Sequence, residues 1–140
     1  MADLMHVFPR PAAKNMKPRR TEEQGIQKAC VEWLRLCVPP AREGGPVWTA
    51  VNPVPAKAMT VAKLCKAMGM RAGIPDFVMC WKGRFVAIEM KPPRGVLTPE
   101  QKAMHQDITL AGGLVHTVRS LDEFRDLFDV LGIPTREAKA

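Results

Sequence analysis

The chain has 140 residues, enough for one compact domain of about 100–200 residues but not for an enzyme with separate cofactor and substrate lobes. Hydrophobic residues at 46% and charged residues at 25% exclude wholesale disorder and collagen-like or coiled-coil architectures. Lys plus Arg number 21 against 14 Asp plus Glu, a formal charge of +7 that suits a polyanionic partner, nucleic acid first.

Cys30, Cys37, Cys65 and Cys80 show neither C-x-x-C nor zinc spacing and fall in apolar patterns, so buried free thiols in a reducing compartment are expected. No run of 18 apolar residues exists and the basic N-terminus lacks signal-peptide form, so the expected setting is cytoplasmic, with no membrane partner. Residues 1–20 hold five basic residues, one acid and three prolines without periodicity, which predicts a flexible basic arm that follows phosphates or is simply solvated.

Thr21-Glu22-Glu23-Gln24 has the form of a capping box, and Ile26, Ala29, Cys30, Trp33, Leu34 and Cys37 follow at helical spacing. A helix is therefore predicted from Thr21 to the Pro39-Pro40 stop. A strand is predicted over Val47–Val51, then a short amphipathic helix carrying Val61, Leu64, Cys65 and Met68. Asp76–Trp81 and Arg84–Glu89 are apolar runs joined by Lys82-Gly83, the signature of a tight hairpin, and their near-continuous hydrophobicity predicts a central position covered on both faces. Thr98-Pro99-Glu100-Gln101 opens a further helix that buries Met104, Ile108 and Ala111 and stops at Gly112-Gly113. Leu114–Val118 is a predicted strand. Ser120-Leu121-Asp122-Glu123 caps a last helix with Leu121, Phe124, Leu127, Phe128 and Leu131 inward. The fold class is α/β, a mixed central sheet flanked by helices, over residues 21–132 with a C-terminal tail at 133–140.

With a two-residue turn at Lys82-Gly83, Trp81 pairs with Arg84 and Asp76 falls opposite Glu89, on one face with Cβ atoms about 4.5–5.5 Å apart. A bulge at Gly83 would move this pairing by one residue. Like charges so placed need a cation. Lys91, two residues after Glu89, returns to the same face. Two carboxylates and a lysine suit Mg²⁺-assisted phosphodiester hydrolysis, in which Lys91 orients water or stabilises charge on phosphorus. A plain Glu89–Lys91 or Asp76–Lys91 ion pair at a strand end is the alternative.

Gly73-Ile74-Pro75-Asp76 followed by Ile88-Glu89-Met90-Lys91 resembles the PD-(D/E)xK nuclease superfamily. From about Glu23 to Phe128, through Glu23…Gln27, Gly73–Phe77, Ile88–Pro92, Gly95 and Thr98–Gln101, the chain is similar to the virus-type replication-repair nuclease family, VRR-NUC. The superfamily core is αβββαβ, and the predicted elements fit it once the Val61–Met68 helix is an insertion and the last helix an addition.

The resemblance implies that Asp76, Glu89 and the Met90 main-chain carbonyl hold Mg²⁺ or Mn²⁺, that Lys91 is catalytic, that Glu23 is the first-helix acid, and that Gln101 belongs to the active site. An acid in a first helical turn is also favoured by the macrodipole, so Glu22 competes with Glu23. Gln101 is equally placed to serve its own capping box. Gln27, Lys63, Lys66, Arg71 and, in the stiff loop after Lys91, Arg94 are candidate DNA contacts, with solvated side chains as the alternative. His105 and His116 read as surface or strand-filling residues, and the nine methionines as core packing. The expected function is a metal-dependent DNA endonuclease without organic cofactor. By resemblance it is homodimeric, acts on branched DNA such as four-way (Holliday) junctions, and works in a bacterial or phage-infected cell. A non-catalytic DNA-binding module and an RNA-processing nuclease are the alternatives.

Overall fold

In the computed structural model, which describes residues 18–51 and 59–136, the turn at Lys82-Gly83 sets the register of everything around it. Both residues hold positive φ, 47° at Lys82 and 76° at Gly83. That is the two-residue turn whose twist matches its strands, and glycine takes the second position at no steric cost. It joins β2 (Phe77–Trp81) to β3 (Arg84–Met90), with Trp81 opposite Arg84 and Phe77 opposite Ile88, and no bulge shifts the pairing. β1 (Val47–Ala50) lies antiparallel to β2, and β4 (Leu114–Val118) lies parallel to β3, giving a mixed sheet ordered β1-β2-β3-β4 with the hairpin in its middle.

Four helices complete the described chain: α1 (Pro18–Cys37), α2 (Met59–Ala67), α3 (Pro99–Leu110) and α4 (Leu121–Leu131). One sheet face carries Phe77, Met79, Trp81, Val86, Ile88 and Met90, which bury against Cys30 and Leu34 of α1 and Phe124, Leu127 and Phe128 of α4. Trp33 meets Phe124 and Phe128 edge-on at 5.9 and 5.1 Å, a favoured arrangement of ring quadrupoles. Trp81 Nε1 donates to the Leu131 carbonyl at 3.2 Å, tying the hairpin to the end of α4. α3 covers the opposite face, with Met104 buried.

Several expectations are corrected. α1 begins at Pro18, so Thr21 lies inside the helix and does not cap it. The second sheet face is covered only toward the Glu89 end; Cys80 and Phe85, near the turn, are exposed, because α3 does not reach them fully. Of the four free cysteines only Cys30 is buried, its thiol pushed up to about 12 by burial. Ala111 is the exposed C-cap of α3, not part of its buried stripe. Leu64 of α2 and Met68, just past its end, are exposed. The predicted arm and tail fall outside the described residues except for 18–20 and 133–136. Among the described residues, no helix is long and apolar enough to cross a membrane.

Candidate active site

Asp76 closes the loop that enters β2. Its carbonyl accepts from Val51 N at 2.7 Å, and the loop behind it packs so tightly on the first turn of α3 that a Cβ at Gly73 would sit 2.3 Å from the Glu100 carbonyl oxygen. Gly73 also holds φ +83°, so glycine is required there both sterically and conformationally. Continuing the hairpin register places Asp76 opposite Glu89 and Pro75 opposite Met90. Lys91 N donates to the Val118 carbonyl on the β4 side, so the main-chain groups of its neighbour Met90 point the other way, toward β2. There the Met90 N–H donates to Asp76 Oδ2 at 2.9 Å. Pro75 has no N–H to give the Met90 carbonyl. The Pro-Asp sequence thus anchors the carboxylate and withholds the ladder donor that would otherwise occupy that carbonyl.

Glu89 is only 2% exposed. Its Oε1 accepts from Gln101 Nε2 at 2.9 Å, while Gln101 Oε1 accepts from Thr98 N at 2.9 Å and Gln101 N donates to Thr98 Oγ1 at 3.2 Å. Gln101 therefore completes the capping box and holds Glu89 at once; its two candidate roles are not exclusive. Burial, then the Asp76 charge, push the Glu89 carboxyl from 4.5 to about 9, against the opposing pull of Lys91. Glu89 thus keeps its proton well above the usual carboxylate range.

Lys91, itself buried, lies between two acids, its Nζ 3.9 Å from Glu89 Oε1 and 3.7 Å from Glu23 Oε1. Glu23 is half-buried and Glu22 exposed, so it is Glu23 that α1 turns toward the cluster. Lys91 separates Glu23 from Glu89, and among the described residues no three His, Cys, Asp or Glu side chains converge. Glu23, the first-helix acid, thus stands on the far side of Lys91 from Glu89.

The candidate DNA contacts are more scattered. Arg94 is exposed in the loop after Lys91, and Lys63 and Lys66 are exposed on α2. Arg71 is already engaged, its guanidinium 2.6 Å from Asp107 Oδ2. Gln27 lines an open depression along α1 with Gln24, Lys28 and Val31.

Two residues were missed by sequence reasoning. His105 puts Nε2 3.8 Å from Glu89 Oε2, and its signal was the i, i+4 spacing from Gln101, which stacks the two on one helix face. Arg119 Nη1 donates to the carbonyls of Pro92 and Gly95 at 2.9 and 2.6 Å, holding the loop that carries Arg94; nothing local in the sequence marks it. His116 on β4 is partly buried, in keeping with a strand-filling role, and burial lowers its pKa.

A helix, an antiparallel three-stranded unit and a parallel fourth strand reached through a helix, with Pro-Asp entering β2 and Glu-x-Lys ending β3, define a PD-(D/E)xK-like nuclease fold. The VRR-NUC domain profile matches residues 21–122, and the chain belongs to that nuclease-type family. In fold it is similar to a solved structure described as a VRR_NUC domain protein, with a TM-score of 0.60 at 19% identity over 81% of this chain and 90% of the other. No curated protein matches it in sequence.

Proposed function

We propose that this chain is a Mg²⁺- or Mn²⁺-dependent endonuclease that hydrolyses DNA phosphodiester bonds. The observation that carries this reading is the placement of Asp76 opposite the buried Glu89. Two carboxylates and the Met90 carbonyl offer only oxygen, the donor set of a hard divalent cation, and Glu89 Oε2 is buried without a hydrogen-bond partner. These residues fit such an ion. Held by Asp76, Glu89 and Met90, it would polarise the scissile phosphoryl oxygen and lower the pKa of a bound water.

The chain's own residues supply the rest. Gln101 fixes the rotamer of Glu89, and the Met90 N–H fixes that of Asp76. Lys91 presents an ammonium beside the pair to orient the attacking water or stabilise charge developing on phosphorus. Glu23 acts through Lys91 by holding its side chain. Arg94, Lys63 and Lys66 give sequence-independent contacts to the DNA backbone, consistent with the formal charge of +7. Selectivity for branched DNA such as Holliday junctions, a homodimeric state and a cytoplasmic site of action in a bacterial or phage-infected cell rest on the family resemblance.

The test is incubation of the protein with a labelled four-way junction, a splayed arm, plain duplex and single-stranded RNA, with Mg²⁺, with Mn²⁺ and with chelator, beside Asp76→Ala. Metal-dependent cleavage of DNA by the wild type, lost in Asp76→Ala, is expected. Binding without cleavage would make the chain a DNA-binding module, and preferential cutting of RNA would move it to RNA processing.

A further inference from the structure

Glu89 Oε2 and His105 Nε2 are both buried and both without a hydrogen-bond partner, yet they face each other at 3.8 Å. That distance is too long for a direct hydrogen bond. Leaving a buried polar atom unmatched is costly, and two complementary orphans side by side call for a common explanation. His105 stands one helical turn beyond Gln101, which already holds the other oxygen of the same carboxylate at 2.9 Å.

We propose that His105 is a positioning residue of the nuclease site, donating from Nε2–H to Glu89 Oε2, directly after a small side-chain closure or through one water, so that α3 clamps both oxygens of Glu89. The proposal rests on the nuclease reading given above. With Gln101 on one oxygen and His105 on the other, rotation of the carboxylate is suppressed and the lone pairs left over are turned toward Asp76 and Met90. Metal-ligating groups are commonly oriented by hydrogen bonds of this kind, and removing such a partner typically costs about 10–100-fold in metal affinity. α3 suits the task because its first turn is fixed from two sides, by the Thr98 capping box and by the close approach of Gly73.

The test compares wild type, His105→Leu and His105→Gln. Leucine fills the buried volume without a donor, whereas the glutamine amide reaches the same position as Nε2. Each protein is melted, titrated with Mn²⁺ by calorimetry, and assayed for cleavage. The expected result is native-like melting in all three, Mn²⁺ Kd raised about 10–100-fold in His105→Leu and largely restored in His105→Gln. NMR of the metal-free wild type is expected to show His105 as the Nε2–H tautomer with a slowly exchanging proton, and Glu89→Ala to abolish that protection. Unchanged Mn²⁺ affinity in His105→Leu, or an Nδ1–H tautomer in the wild type, overturns the proposal alone. A wild type that neither binds Mn²⁺ nor cuts DNA overturns the nuclease reading and the proposal with it.

Discussion

Replacing Glu89 by Gln is expected to stabilise the metal-free protein while abolishing cleavage. Glu89 carries its proton when folded, its carboxyl raised to about 9 by burial and by Asp76, but titrates near 4.5 when unfolded. Its contribution to stability is therefore complete below pH 4.5 and drains away as pH rises toward 9. Holding one proton against an unfolded chain that has released it costs about 1.4 kcal/mol per pH unit, hence about 1.4 kcal/mol at pH 5.5 and about 4 kcal/mol at pH 7.5. That figure is set by the unfolded value as long as the folded one stays above the working pH. Glutamine keeps the shape, still accepts from Gln101 Nε2, and does not titrate. Melting in chelator should thus favour Glu89→Gln by up to about 10 °C at pH 7.5 and by roughly a third of that at pH 5.5. Divalent metal should raise the melting temperature of the wild type and not of the variant. A Glu89→Gln protein that melts below wild type at both pH values would refute the reasoning, making Glu89 a structural anchor for Lys91 instead of an acid held for a metal.

Lys91→Ala is expected to retain Mn²⁺ binding by calorimetry while turnover falls about 10²–10³-fold, the size seen when one electrostatic stabiliser is removed; loss of fold by circular dichroism would make Lys91 structural. Gly73→Ala forces a Cβ into the Glu100 and Gln101 main chain at φ +83°, so a loss of at least about 1–2 kcal/mol in urea denaturation is expected, with cleavage weakened through displacement of α3. Arg119→Ala frees the Pro92 and Gly95 carbonyls, and faster amide exchange at Gly95, whose N–H bonds Pro92 O, is the expected readout, with only partial rescue by Lys.

The features legible in the sequence were those with short-range causes. Lys82-Gly83 dictates a two-residue turn, the turn dictates the register, and the register puts Asp76 opposite Glu89, so the centre of the site follows from local chemistry alone. The caps at Thr98 and Ser120 were legible for the same reason: the N3 amide needs an acceptor three residues back, and both hydroxyls provide it. Thr21 offered the same pattern and failed, because helix propensity continues through Pro18-Arg19-Arg20 and a capping motif cannot act inside a helix. The hydrophobic hairpin reads as covered on both faces, yet Cys80 and Phe85 are exposed, since sequence pattern does not say how far a helix on the far face extends.

What escaped depends on contacts between distant segments. Arg119 follows β4 and grips a loop 24 to 27 residues earlier, a pairing that no local periodicity announces. His105 reads by itself as a surface or strand-filling residue, and its place beside Glu89 follows only from the helix face it shares with Gln101. Gln101 had already been assigned to the site, and a residue four positions on must point the same way. The position of Glu23 shows the converse: its place on the α1 stripe was legible, but not that Lys91 would stand between it and Glu89 at 3.7 Å from one acid and 3.9 Å from the other. A buried ammonium flanked by two carboxylates shields them from each other, so Glu23 on α1 pairs with Lys91 from one side while Glu89, opposite Asp76, meets it from the other. An acid on α1 and an acid on β3 thus both face Lys91 without meeting each other.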